Sequence, residues 1–373
     1  MRKRILFIHN HLVCGGVEKV LITMFNRFDY SRYDVSLLLI YKCGEFLKDL
    51  PGEVKLIYLY PNKLSFLEKI NYNLLSRFGS DLGYRFFINY KTKKYDTIIS
   101  FYGGYPLKYH SYIAKKAQNN ISWVHTDMIN NHHTISRFFT KKQENYAYTS
   151  MDKIMFVSND AKKQFESLYP DIVKTKEVIL NPIEKDLIAQ YRKEYKKYMK
   201  DRCFNIVSVG RLSPEKGFDR LVRLAKRLKG ESCIFKINII GDGDSFKDLE
   251  KSIIENDVVD NVFLLGFVNS PYEEMSKADL LISSSVAEGF SLVVAEAFCL
   301  GLPVVATKTT GPIELIDNDK YGILVDHDDE SIYQAVKKMM NDDSLREYYH
   351  RKSFERAETL DIEKVMNQVY SIL

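Results

Sequence analysis

Two carboxylates, Glu288 and Glu296, close the ends of the stretch Glu288-Gly289-Phe290-Ser291-Leu292-Val293-Val294-Ala295-Glu296. An apolar run at 279–285 precedes it, so the order reads as strand, tight loop, helix. A helix rises ~1.5 Å per residue, which puts Glu296 about two turns beyond the loop that carries Glu288. The turn at Gly289, Phe290 and Ser291, leading into Leu292, leaves backbone N–H groups at the helix start that suit an anionic or hydroxyl-rich ligand. A polyol joined to a phosphate would use both features, carboxylates for hydroxyls and amides for phosphate. Taken alone, the same residues describe a solvated helix start whose acids complement the macrodipole.

A second constellation is Gly210-Arg211-Leu212-Ser213-Pro214-Glu215-Lys216-Gly217, which follows a strand-like run at 206–209. In open α/β sheets ligands bind outside the carboxyl ends of strands. An Arg fork and a Lys point charge leaving such an end suit a diphosphate. Cys14-Gly15-Gly16-Val17-Glu18 follows the strand-like run 5–9 and opens a helix, where Gly15 and Gly16 let backbone approach a ligand. Gly241-Asp242-Gly243-Asp244 follows 237–240 in a similar place. Its Asp-x-Asp is a pattern that can hold a divalent metal, but the acids stand where a turn and helix start want them. With Arg211 and Lys216 on hand to neutralise a diphosphate, no metal is expected. His125 ends the run 121–125 and either meets a substrate hydroxyl or is a structural histidine held by Asp127. His132 and His133 lack the spacing of a metal pair and read as loop residues able to face an acceptor.

These residues need a scaffold, and the apolar patterning supplies one. Strand-like runs at 4–9, 35–40, 54–59, 97–101, 121–125, 153–157 and 177–180 alternate with helical stretches that include 17–28, 107–117, 134–149 and 160–168. A charged segment, 183–203, carries no strand. The pattern restarts at 205–210, 235–241, 262–265, 280–283, 304–306 and 322–325. Strand–helix alternation implies parallel sheets covered on both faces. The expectation is therefore α/β, with two Rossmann-like domains, 1–182 and 204–342, whose parallel sheets face a cleft. The helices at 343–357 and 361–373 have the length to cross back to the first domain.

Composition narrows the class. The chain has 373 residues, 45% of them hydrophobic, enough for two cores. No apolar run reaches the ~20 residues of a membrane span, and the run after Arg2-Lys3-Arg4 breaks at His9-Asn10-His11, as a buried strand rather than a leader would. Five cysteines without Cys-x-x-Cys spacing read as reduced thiols of a cytoplasmic protein. Residues 1–180 hold 27 Lys+Arg against 16 Asp+Glu, a net of +11, whereas the remainder is net −6. The first half thus faces something anionic. Its interleaved basic and aromatic residues (Lys63, Phe66, Lys69, Tyr72, Arg77, Phe78, Arg85, Phe86, Tyr90, Lys91, Lys93, Lys94, then 137–142) suit an anionic membrane surface, or equally two core-packed helices with solvated lysines. No nucleic-acid motif is visible, so no nucleic-acid partner is expected.

Taken together the motifs resemble family-4 retaining glycosyltransferases of the GT-B fold, the bacterial enzymes of capsule, exopolysaccharide and O-antigen assembly. The resemblance is strongest over 205–325, in Val209-Gly-Arg-Leu212, Glu215-Lys-Gly217, Gly241-Asp-Gly243, Leu265-Gly-Phe267, 288–297, 301–306 and 311–314. It implies that Arg211 and Lys216 hold the donor diphosphate and stabilise it as it leaves. It implies that Glu296 accepts from ribose hydroxyls, Glu288 binds sugar hydroxyls, and the amides of Phe290, Ser291 and Leu292 touch sugar or phosphate. His125 would contact the sugar, Gly16 would line the phosphate pocket, and Gly266 with Phe267 would flank the base. Ser291 departs from the family's usual Gly, which puts sugar preference in question. The implied activity is metal-free, cofactor-free transfer of a hexose or N-acetylhexosamine from a UDP-sugar, with GDP-mannose as another option, to a lipid-linked saccharide at the inner membrane face. The rivals are a non-catalytic nucleotide-sugar-binding subunit and a UDP-sugar epimerase of the same fold. A nicotinamide dehydrogenase is disfavoured, because no G-x-G-x-x-G follows either opening strand.

Overall fold

The computed structural model of the chain describes residues 2–13, 15–61, 82–138, 140–193 and 203–373. The basic and aromatic residues at 63–78 therefore lie outside the described residues, as do Cys14 and residues 194–202 of the segment 183–203. The chain forms two compact units, one of residues 1–182 with 363–373 and one of residues 183–362.

The first unit is built on seven parallel strands: β1 (Lys3–His9), β2 (Tyr33–Lys42), β3 (Lys55–Pro61), β4 (Tyr95–Ser100), β5 (Ala117–Val124), β6 (Lys153–Phe156) and β7 (Thr175–Val178). Their order is β3-β2-β1-β4-β5-β6-β7. Ile5, Leu6, Phe7 and Ile8 of β1 are all fully buried, as a strand covered on both faces requires. The intervening helices are α1 (Gly16–Asn26), α2 (Leu82–Lys91), α3 (Tyr105–Ile113), α4 (Lys141–Thr149) and α5 (Asn159–Leu168). The single helix expected over 134–149 is two pieces. A 3₁₀ turn covers His133–Arg137, and α4 starts afresh at Lys141 because Thr140 caps it, its hydroxyl accepting from Gln143 N at 3.3 Å. The helix expected over 107–117 ends at Ile113, and β5 begins at Ala117.

Inside this unit His110 is wholly buried, with Nδ1 3.1 Å from Ser100 Oγ and Nε2 3.1 Å from Asn120 Oδ1. Burial pushes its pKa down to about 4. The unfolded chain takes up the proton near pH 6.5 and the folded one does not, so this histidine erodes stability as pH falls from 6.5 towards 4. Between pH 6.5 and 5 the loss is about 2 kcal/mol. The stability lost between these two pH values, read from urea melts, should be greater in wild type than in His110→Gln by about that amount. Equal losses would remove His110 from the acid transition.

The second unit has six parallel strands: β8 (Phe204–Val209), β9 (Phe235–Ile240), β10 (Val262–Leu264), β11 (Leu280–Ser283), β12 (Val304–Thr307) and β13 (Ile323–Val325), in the order β10-β9-β8-β11-β12-β13. Its helices are α6 (Lys185–Ala189), α7 (Asp219–Gly230), α8 (Phe246–Glu255), α9 (Tyr272–Met275), α10 (Leu292–Leu300), α11 (Thr310–Ile316), α12 (Asp329–Asn341) and α13 (Asp343–Thr359). The two C-terminal helices part company. α13 stays with the second unit, where Ser353 Oγ donates to Leu302 O at 3.1 Å and Arg356 Nη2 to Glu314 O at 2.7 Å. The last helix, α14 (Ile362–Ile372), belongs to the first unit. There the Tyr370 ring stacks on Tyr33 at 5.5 Å, and its hydroxyl accepts from Asp29 N and donates to Arg27 O, both at 2.9 Å.

Candidate functional site

In the second unit, strand order reverses between β8 and β11, the place where open α/β sheets bind ligands. The loops after these two strands are tied together. Ser284 Oγ donates to Lys216 O at 3.0 Å, and Val286 N donates to Glu215 O at 2.8 Å. A 3₁₀ turn, Pro214–Lys216, ends at Gly217 with φ +64°. The chain then swings the Lys216 side chain back over Gly210, where a Cβ would stand 3.6 Å from Lys216 Cδ and Cε. Lys216 Nζ reaches Glu288 Oε1 at 2.8 Å, and Ser285 Oγ donates to Glu288 Oε2 at 2.9 Å. A third loop secures Glu288 from behind, since its carbonyl accepts from Gly311 N at 3.0 Å and from Thr310 Oγ1. Arg211, on the same loop as Lys216, is exposed.

The start of α10 follows directly. Ser291 is the N-cap, yet its side chain makes no capping bond, and its fully buried Oγ has no partner among the described residues. The amides of Gly289, Phe290, Ser291 and Leu292 likewise meet no backbone carbonyl among the described residues. Four donors at a helix start, beside a carboxylate and an ammonium, can bind phosphate oxygens while Glu288 takes hydroxyls. Glu296 is buried on α10, with Oε1 accepting from Tyr272 OH at 3.3 Å. On the other flank of β8, Gly241 N donates to Gly266 O at 2.8 Å, beside the exposed ring of Phe267. Asp242 Oδ1 accepts from Gly243 N at 2.7 Å, the turn role that sequence assigned it. Among the described residues no group of three or more His, Cys, Asp or Glu could hold a metal ion.

The remaining candidates stand in the first unit. His125 follows β5 directly, its ring 4.6 Å from that of Phe101, and neither ring nitrogen has a partner among the described residues. Burial, and then the charge of His9, holds its pKa down to about 3, so the ring is neutral at pH 7. Asp127 does not hold it. That carboxylate instead caps the following turn, accepting from Ile129 N and Asn130 N at 3.1 and 2.9 Å. Gly15 caps α1 and Gly16 is its first residue. Close by, and unremarked in the sequence, His9 Nε2 lies 3.2 Å from the buried Glu18 carboxylate, with His11 Nδ1 3.7 Å from the same oxygen. Burial works to raise the pKa of Glu18, but the hydrogen bond and charge of His9, its own amide and His11 together hold it below the usual carboxylate value. The available signal was a polar residue ending an otherwise apolar central strand. His132, read as acceptor-facing, turns inward: Nε2 lies 3.1 Å from Glu144 Oε1, and Tyr169 OH donates to Oε2 at 2.6 Å. A fully buried carboxylate needs such partners, which makes this histidine structural.

Residues 189–356 match the family model described as glycosyl transferases group 1. Over 199 residues, 53% of each chain, the sequence is 36% identical to an N-acetylgalactosamine-N,N'-diacetylbacillosaminyl-diphospho-undecaprenol 4-alpha-N-acetylgalactosaminyltransferase of Campylobacter jejuni. Over 171 residues, 44% of each chain, it is 30% identical to the capsular polysaccharide biosynthesis glycosyltransferase CapM of Staphylococcus aureus. The chain thus spans about half the length of these relatives. Anabaena HepE, solved in complex with UDP and glucose, superposes with a TM-score of 0.77 over 99% of both chains at 20% identity, a likeness of fold. Residues 189–356 are thus similar to the group 1 glycosyl transferases, and the chain has the two-sheet fold of the GT-B glycosyltransferases.

Proposed function

We propose that this chain is a retaining glycosyltransferase of bacterial surface-polysaccharide synthesis. It moves a hexose or N-acetylhexosamine from a nucleotide-sugar, a UDP-sugar by preference, to a lipid-linked saccharide, without a metal ion. The observation that carries this reading is the Lys216–Glu288 pair at the β8/β11 reversal, set beside the open amides at the start of α10. Lys216 has three N–H donors and gives one to Glu288, which leaves two for phosphate oxygens. Arg211 adds a second cation. Glu288 keeps lone pairs for sugar hydroxyls beyond those used by Lys216 and Ser285. When the bond from the anomeric carbon to the diphosphate breaks, its electron pair leaves with the diphosphate, and the two cations stabilise the charge. The acceptor oxygen adds on the same face and its proton passes to the departing phosphate. The lipid diphosphate in the Campylobacter relative's name supports a lipid-linked acceptor here.

The test is a thermal-shift and hydrolysis screen against UDP-, GDP-, ADP- and TDP-sugars, with and without EDTA. A UDP-sugar at a hundred times its Kd should stabilise by about 2.7 kcal/mol, a rise of roughly 5–11 °C in Tm, and should be slowly hydrolysed despite EDTA. Failure of every sugar nucleotide to bind, or binding that vanishes with EDTA, would refute the reading.

The acceptor's lipid places the enzyme at the cytoplasmic face of the cell membrane. On α2 and just beyond it, Phe86 and Tyr90 are 75% and 79% exposed among Arg85, Lys91, Lys93 and Lys94. No helix of the described residues is long and apolar enough to cross a membrane, so attachment would be peripheral. A Lys or Arg near an anionic surface contributes about 1 kcal/mol. Replacing Lys91, Lys93 and Lys94 together by serine should therefore weaken binding to phosphatidylglycerol vesicles about a hundredfold in a flotation assay. Unchanged flotation would detach this face from the membrane.

A further inference from the structure

The start of α1, at Gly15 and Gly16, is the other place where sequence invites a ligand. Glu18, in the first turn, is 7% exposed, and its carboxylate already takes a bond from its own amide and from His9.

His9 supplies the receiving atom. It ends β1, next to the reversal of strand order between β1 and β4. A carboxylate only accepts, so the 3.2 Å contact puts the proton of His9 on Nε2. With Nε2 as the donor, Nδ1 of an uncharged ring is a bare lone pair. His9 is 1% exposed, and that Nδ1 has no partner among the described residues. Buried polar atoms left unsatisfied in this way are uncommon and mark a missing ligand or strain. The two nitrogens of His125 are orphaned in the same manner, and both rings lie against Phe101, at 6.3 and 4.6 Å. Three unpartnered imidazole nitrogens thus gather around the one ring of Phe101.

We propose that His9, oriented by Glu18, is a saccharide-reading residue: its Nδ1 accepts the O–H of a sugar hydroxyl. The proposal rests on the reading of the chain as a handler of saccharides. The hydroxyl comes either from the donor's sugar or from the acceptor saccharide, and the chemistry of recognition is the same. Glu18 acts through His9 and is a positioning residue.

The test uses the full chain with ¹⁵N-labelled histidine, observed by NMR near neutral pH. In the free protein His9 Nδ1 should carry no proton. Millimolar methyl glycosides of glucose, galactose, N-acetylglucosamine and N-acetylgalactosamine should move its resonance if the acceptor supplies the hydroxyl. UDP-sugars should move it, with UDP alone silent, if the donor does. Inorganic phosphate should leave it unmoved. A proton found on Nδ1, a response to phosphate or UDP without one to sugar, or no response to any saccharide would each overturn the proposal. Two variants separate reading from support. Asparagine places a polar atom near Nδ1, whereas glutamine places one near Nε2. His9→Gln should keep the Glu18 contact and wild-type Tm yet bind the saccharide about tenfold more weakly, with His9→Asn recovering part of that affinity. The opposite ranking, with Tm following affinity, would make His9 structural. Nucleotide-sugar binding in the second unit is read from thermal shift on the same samples, so its loss would refute the assigned function without touching the result at His9.

Discussion

Replacing Lys216 by alanine is expected to slow sugar transfer ~10²–10³-fold, the usual loss when one preorganised donor to a developing charge is removed. The expectation rests on position. Lys216 is fixed by its own loop, by Ser284 at its carbonyl and by Glu288 at its ammonium, so it needs no reorganisation when the diphosphate departs. Its side chain is 24% exposed, so losing the ion pair should cost stability little, about 1 kcal/mol or less. Turnover and Tm should therefore separate. The same variant leaves the Glu288 carboxylate held by Ser285, which couples the two sites. Lys216→Ala combined with Glu288→Gln should lose less than the product of the single effects. A purified Lys216→Ala protein with wild-type Tm and turnover within threefold of wild type would show that Lys216 does not stabilise the leaving group.

Gly241→Ala should have the largest effect on stability. Gly241 follows β9 at φ +148°, and a Cβ there would stand 1.8 Å from Gly210 O. Both partners are backbone, so no side chain can step aside. Strain of about 1–3 kcal/mol from the dihedral adds to about 1–3 kcal/mol from overpacking. A total of about 3 kcal/mol corresponds to a fall in Tm of roughly 6–12 °C for a unit of this size. Relief requires Gly210 to move, and Gly210 leads straight to Arg211. Any folded Gly241→Ala protein should thus also bind the nucleotide-sugar more weakly. Differential scanning calorimetry with and without UDP-sugar reads both effects, and an unshifted transition would contradict the close approach of the two glycines.

Much of this was legible because the physics is local. Runs such as Ile5–Ile8 and 280–283 are apolar and short, with turn residues on either side, and parallel strands buried on both faces look like that. The loops at 210–217 and 288–292 were readable because Gly, Pro and Ser mark the strand-to-helix turns and the charged residues stand beside them. The break in 134–149 was also written in the chain, in Thr140-x-x-Gln143, but the periodicity on either side hid it. What sequence did not show is pairing at a distance. Lys216 and Glu288 each stood out alone, yet only the β8/β11 adjacency makes them partners. His9 meets Glu18 across a strand end, a loop and a helix start. His132, Glu144 and Tyr169 form one buried cluster whose members no periodicity connects, so His132 looked like a loop residue free to face a substrate.

The return of α14 to the first unit has a consequence for synthesis. Tyr370 covers Tyr33 and bonds to Arg27 and Asp29, while Asn119 Nδ2 donates to Ile372 O at 2.7 Å. The first unit therefore encloses the whole of the second in its sequence, residues 183–362. A ribosome adding ~5–20 residues per second needs roughly 10–40 s to pass from Pro182 to the end of α14. Through that interval the seven-stranded sheet waits without its closing helix, and the six-stranded unit has all its residues before that helix is made. The half of the protein made first is the half completed last, and chaperones meeting the nascent chain would find the Tyr33 face uncovered.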